Sequence, residues 1–168
     1  LEKYYAREVI RITFEIFQAF PGGAMIEREE LEDFLRDGRH ILTLATLDKN
    51  GGIDLSPVWY LYEGGKIFIL TRENSAKAKN AAENPEVAFC VDLRQQPYKG
   101  AVGRGRAELS HDPERIGDVR AKILKRYVGD PESDPAKRYL KTTNAPRGVL
   151  LEITPESIST WDFGKESH

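Results

Sequence analysis

The stretch that decides the fold runs His40-Ile41-Leu42-Thr43-Leu44-Ala45-Thr46-Leu47-Asp48-Lys49-Asn50-Gly51-Gly52-Ile53-Asp54-Leu55-Ser56-Pro57-Val58-Trp59-Tyr60-Leu61-Tyr62. Residues His40–Asp48 alternate with a period of two and carry Ile41, Thr43, Ala45 and Leu47 on one face, the pattern of a strand. Asn50-Gly51 is a strong hairpin signal, because both central residues of a type I′ turn need positive φ. Ile53–Tyr62 reads as the returning strand. Glu63-Gly64-Gly65 turns the chain again and Lys66–Arg72 forms a third strand, so the segment predicts an antiparallel meander.

Towards the N-terminus the period becomes helical. Glu27–Asp37 places Leu31, Phe34 and Leu35 on one face and stops at Gly38, and residues 4–20 carry Val9, Ile10, Phe14, Phe17 and Phe20 at helical spacing before Pro21-Gly22-Gly23. Towards the C-terminus, Ser75–Glu83 is a short helix with Ser75 as N-cap and Asn84-Pro85 as its end. Glu86–Asp92 and Lys99–Ser110 read as a fourth and a long fifth strand. Asp112-Pro113-Glu114 opens a helix with an N-cap acid and a proline at the first helical position; Ile116, Val119, Ile123 and Tyr127 give it an apolar face before Gly129. Asp134-Pro135 opens another helix, ending near Thr142. Arg147–Thr154 is the sixth strand, with an extended tail through Trp161. Six antiparallel strands with short helices at the corners predict a closed barrel, which removes exposed sheet edges. The expected organisation is a helical extension over residues 1–24 and one barrel domain over 25–168.

Composition sets the outer limits. The chain has 168 residues, 40% of them apolar and 31% charged, with a formal net charge of −2, and that is an ordinary single globular domain. Near-neutral charge and unclustered arginines disfavour nucleic acid and anionic membranes as partners. No apolar run approaches the ~20 residues of a membrane span. The lone cysteine, Cys90, lies in an apolar run and reads as a small buried hydrophobe, which favours a reducing, cytoplasmic setting. The three histidines are scattered and no cysteine pair exists, so a zinc site is not expected. No nucleophile elbow or Walker lysine is present, and no residue is a candidate for direct catalysis.

Two segments carry chemistry. In Leu70-Thr71-Arg72-Glu73-Asn74-Ser75-Ala76-Lys77-Ala78-Lys79-Asn80 a strand leads into a helix that has two lysines in its first turns. Free N–H groups make that end positive, so the lysines are mildly unfavourable there unless an anion sits between them. A bound phosphate would reverse the sign, because free N–H groups, the hydroxyls of Thr71 and Ser75, and a lysine ammonium can all converge on one anion. The alternative is a solvated helix start with both lysines turned away. The second segment is Gly100-Ala101-Val102-Gly103-Arg104-Gly105-Arg106-Ala107, with glycines in mid-strand. It lacks the spacing of a nucleotide loop, and it reads as tight packing across a barrel or a subunit interface, or as close approach of a ligand.

Taken in order, Ala45–Gly52, then Ser56-Pro57-Val58-Trp59, then Ile69-Leu70-Thr71, then Ser75–Asn80 with Asn84-Pro85, resemble the FMN-binding split-barrel superfamily, which includes pyridoxamine 5′-phosphate oxidase and deazaflavin-using relatives. Pro97-Tyr98-Lys99-Gly100, Gly105-Arg106-Ala107-Glu108-Leu109 and Val149-Leu150-Leu151 leading to Trp161 extend the resemblance over about residues 28–163. It implies a six-stranded split barrel, a homodimer with cofactor sites at the interface, and FMN chemistry on a small-molecule substrate. It further implies that Ser75 and Lys77 hold the cofactor phosphate, that Ser56, Pro57, Val58, Trp59, Leu70 and Thr71 line ring and phosphate, and that Tyr98 is an interface position reaching the other subunit's cofactor. The Arg and Lys that the true oxidases carry on the second strand are missing from Pro57–Tyr62, and the oxidase pattern is missing around Trp161. Those departures argue against vitamin B6 oxidase activity. FMN is the expected cofactor, coenzyme F420 its alternative, and a non-catalytic flavin- or haem-binding module a second alternative.

Overall fold

The computed structural model describes residues 26–143 and 148–165. The helical extension expected over residues 1–24, and Arg147 at the expected start of the last strand, lie outside the described residues. The elements are α1 (Arg28–Arg36), β1 (Leu42–Leu47), β2 (Ile53–Val58), β3 (Leu61–Glu63), β4 (Lys66–Arg72), α2 (Ala76–Glu83), β5 (Glu86–Asp92), β6 (Lys99–Ser110), α3 (Pro113–Tyr127), α4 (Asp134–Thr143) and β7 (Gly148–Asp162).

All strands pair antiparallel in one sheet, in the order β2-β1-β5-β6-β7-β4-β3. Seven strands therefore replace the expected six, because the returning strand breaks at Trp59-Tyr60. Val58 pairs with Leu42 at one edge of the sheet, and Leu61 pairs with Phe68 at the other. Three peptide steps reach only about 11 Å, so the sheet must curl until its two edges nearly meet. This is the split barrel. The break is held by side chains rather than by a ladder. The Tyr60 N–H donates to the Tyr127 hydroxyl at 3.3 Å, and the Tyr60 hydroxyl donates to the Leu35 carbonyl at 2.9 Å. The expected C-terminal tail is part of β7, which continues unbroken to Asp162.

Leu42 and Leu44 of β1, Phe89 and Val91 of β5, Ile67 and Ile69 of β4, and Leu151 and Ile153 of β7 fill the barrel. Phe34 and Leu35 of α1 close one end; Ala78 and Ala81 of α2 close the other. Ile41, Thr43, Ala45 and Leu47 share a face, as the alternation requires, but the barrel core takes Leu42 and Leu44 from the opposite one, and of the four only Leu47 is buried. Outside the barrel, Ile116, Val119, Ile123 and Tyr127 of α3 pack on Phe68, Leu70 and Leu150, a second apolar cluster. α3 begins as its sequence dictates, with Asp112 accepting from the Glu114 N–H at 3.0 Å and Pro113 in the first turn.

Two turn-level expectations are corrected or resolved. The Asp48–Gly52 hairpin is not type I′, because only Gly51 has positive φ (83°). Its amide donates to the Asp48 carbonyl at 3.0 Å, and the Asp48 carboxylate accepts from Asn50 and Gly52 at 2.7 and 2.8 Å. A type I turn followed by a left-handed glycine makes the three-residue hairpin. The mid-strand glycines of β6 serve packing within the chain. A Cβ on Gly103 would lie 2.5 Å from the Phe89 ring and 2.6 Å from the Ser157 carbonyl oxygen, and one on Gly105 would strike the β7 backbone at a bulge.

Candidate functional site

The first turn of α2 stands at the barrel end where β4 leaves the sheet. Ser75 has extended backbone, its Oγ accepts from the Ala78 N–H at 3.3 Å, and the Thr71 hydroxyl donates to the same oxygen at 3.2 Å. The Ser75 N–H donates to the Arg72 carbonyl at 3.0 Å, closing the turn. The amides of Ala76 and Lys77 have no partner among the described residues, as a helix start requires. No acid stands in the first turn to answer that positive end.

Lys77 is half-buried on this turn and makes no hydrogen bond or ion pair among the described residues. Burial lowers its pKa from the ordinary lysine value. A cation that has lost water without gaining a counter-charge is an unusual arrangement on a protein surface. Lys79, two positions on, is exposed. Thr71 and Ser75 are thus bonded to each other at the helix start, and Lys77 stands on the same turn.

The other expected residues fall into three groups. Ser56, Pro57 and Val58 lie on β2, the edge strand beside α2. Ser56 and Val58 are half-buried on its inner side and Pro57 is exposed, where the missing proline N–H costs the ladder nothing. Trp59 and Leu70 turn towards the outer helices. The Trp59 ring stacks on Tyr127 (centroids 4.9 Å apart, planes 3° apart) and also meets Tyr139, while Leu70 is buried in the second cluster.

Tyr98 sits elsewhere, 46% exposed beside Phe163 at the α1 end of the barrel. Its neighbour Lys99 is paired with Glu30 and Asp162, whereas α2 approaches β6 at Ala107, whose N–H donates to Pro85. Eight strand residues separate these levels, about 26 Å. One protomer therefore does not bring Tyr98 to Lys77.

Sequence reasoning missed a third component. The buried Asn80 on α2 donates from its one Nδ2 to the Thr46 hydroxyl on β1 (3.1 Å) and to the Asp54 carboxylate on β2 (2.8 Å). The available signal was an asparagine between Ala78 and Ala81 on the buried side of a helix. Cys90 is partly buried with its thiol pushed up to about 11 by burial, so it is not a nucleophile at neutral pH. Among the described residues no cluster of His, Cys, Asp or Glu could hold a metal, and no helix is long and apolar enough to cross a membrane.

Comparison with known proteins bears on the fold and the family. A conserved hypothetical protein from Mycobacterium tuberculosis superposes with a TM-score of 0.72 at 26% identity, over 89% of this chain and 94% of that one. A protein named as an F420 reductase gives a TM-score of 0.61 at 24% identity, over 79% and 98%. A FAD-binding protein from Mesorhizobium loti gives 0.61 at 21%, over 82% and 93%. No curated protein matches the chain at a significant level. The family model described as pyridoxamine 5′-phosphate oxidase matches residues 28–162, the whole barrel with its helices. By that match the chain belongs to the pyridoxamine 5′-phosphate oxidase family.

Proposed function

We propose that this protein is a homodimeric cytoplasmic oxidoreductase that binds FMN, with the cofactor phosphate on the first turn of α2. The observation that carries the reading is Lys77: half-buried, without a partner among the described residues, and on the same helix turn as two amides unbonded among them and the Ser75 hydroxyl. Lys77 would supply the counter-charge, the Ala76 and Lys77 amides and Ser75 the directional bonds, and Thr71 would orient the Ser75 oxygen. Ser56, Pro57 and Val58 offer the edge-strand backbone beside it. Bound FMN would supply hydride or electron transfer at its ring, a chemistry that needs positioning and no protein nucleophile.

What one protomer leaves open supports the reading of a second copy. Ile53 and Leu55 on β2 are 50% and 68% exposed, beside exposed Pro57, so the outer face of the edge strand is apolar and uncovered. Tyr98, far from its own Lys77, could complete only a partner's site. Coenzyme F420 is the second reading, favoured by the absence of the oxidase Arg and Lys from β2 and by the likeness to the F420 reductase.

Reconstitution tests all of this. FMN should raise the melting temperature by mass action, and Lys77→Ala should weaken FMN binding by about 1.5–3 kcal/mol, the scale of a charge-assisted hydrogen bond. Lys79→Ala should change it little. A shift with F420 alone transfers the reading to the deazaflavin, and a Soret band without a flavin shift transfers it to haem. Equal FMN affinity in Lys77→Ala and the parent would place the phosphate elsewhere.

A further inference from the structure

Asn80 follows Lys77 by three residues, so the two side chains lie on adjoining stripes of α2. Asparagine is a poor helix former, and a buried amide is costly unless it is bonded. Here both hydrogens of Nδ2 are used, on Thr46 and on Asp54, and those two residues stand directly opposite each other in the β1–β2 ladder. One amide therefore straddles the hairpin. No other side chain of α2 bonds to β1 or β2 among the described residues.

The site proposed above is divided between α2 and β2. β2 is an edge strand, held in the sheet by β1 alone. Ala78 and Ala81 present only methyl groups to the barrel end, and methyl contacts resist sliding weakly. Directional bonds to two strands fix what those contacts leave loose.

We propose that Asn80 is a positioning residue: its clasp on Thr46 and Asp54 sets the placement of the Ser75–Lys77 turn against β2, and so tunes affinity for the cofactor's phosphate without touching the cofactor. This rests on the phosphate-site reading given above.

The test compares FMN with riboflavin, its phosphate-free form, by fluorescence titration well below the melting temperature. The proteins are the parent, Asn80→Ala, Asp54→Ala and Asp54→Asn. The last two remove the same charge, but only Asp54→Asn retains an acceptor for the amide. Asn80→Ala and Asp54→Ala should each lose about five- to twenty-fold in FMN affinity with little change for riboflavin, as expected for one or two bonds. Asp54→Asn should keep the FMN-to-riboflavin ratio at or above the parent's. A role confined to stability would lower the melting temperature and leave that ratio alone. An unchanged ratio in Asn80→Ala, or Asp54→Asn behaving like Asp54→Ala, overturns the inference while the site stands. A parent that does not distinguish FMN from riboflavin overturns the site and the inference together, unless it distinguishes coenzyme F420 from its phosphate-free deazaflavin, in which case the same ratios are read on that pair.

Discussion

The Arg126 guanidinium lies 4.5 Å from the centroid of the Tyr60 ring, and its Nη2 donates to the Tyr60 hydroxyl at 3.3 Å. The same group donates to the carbonyls of Leu35 (3.0 Å), Asp37 (3.2 Å) and Gly38 (2.8 Å) at the end of α1. It thereby joins α1, the break between β2 and β3, and the last turn of α3. Burial raises the Tyr60 hydroxyl to about 12, so it stays a donor to Leu35 at any neutral pH.

Arg126→Ala should destabilise the fold by about 2–4 kcal/mol, since it removes several charge-assisted bonds and leaves carbonyls short of donors. Arg126→Lys should recover only part, because an ammonium cannot reach as many acceptors as a planar fork. Urea unfolding of the three proteins measures both. A loss within experimental error for Arg126→Ala would mean that the end of α1 holds without it.

His40 gives the stability a pH dependence. It stacks on Phe34 at 4.8 Å, and burial, aided by the nearby Arg126 and opposed by Asp92, lowers its pKa from the ordinary 6.5. The unfolded chain therefore takes up a proton before the folded one does, and stability falls as the pH drops from about 6.5 towards the folded value. Above that range the contribution is constant. His40→Phe keeps the stacking and cannot titrate, so the difference between the two stability curves should be flat at high pH and bend below about 6.5. Parallel curves throughout would refute the assignment.

Gly103→Ala should cost about 1–3 kcal/mol, the usual range for overpacking a filled interior. Part of the clash is with the Phe89 ring, which can rotate, and part with the Ser157 carbonyl, which cannot move without its strand. The expected readout is a melting temperature several degrees lower with an unchanged far-ultraviolet spectrum. No change would show that the barrel has room at that point.

Leu55→Asp tests the second copy. Its side chain is 68% exposed in the single chain, so a monomer would tolerate the acid with almost no change in stability. In a dimer built on that face the carboxylate would be buried without a partner. Sedimentation equilibrium should show the parent as two copies and the variant dissociating. A parent that is monomeric at micromolar concentration removes the proposal.

Much of this protein was legible in the chain itself. Period-two alternation from His40, the proline and aspartate that open α3, and the run from Thr71 to Lys77 are local signals, each decided by residues a few positions apart. They point to most of the strands, the helices and the Ser75-capped turn at the start of α2. The split at Trp59-Tyr60 was not legible, because the run stays apolar and aromatic through it. What breaks the strand there is the meeting of two sheet edges, with Tyr127 and Leu35 taking the backbone and hydroxyl bonds from 67 and 25 residues away. The turn at Asn50-Gly51 escaped for a smaller reason: the Asp48 carboxylate takes the Asn50 and Gly52 amides and holds a three-residue loop in place of a two-residue one. Asn80 looked like one more polar helix residue until the fold placed Thr46 and Asp54 beneath it. Local periodicity fixes which segments are strands or helices. Which side chains meet across the barrel depends on its closure, and closure is a property of contacts distant in sequence.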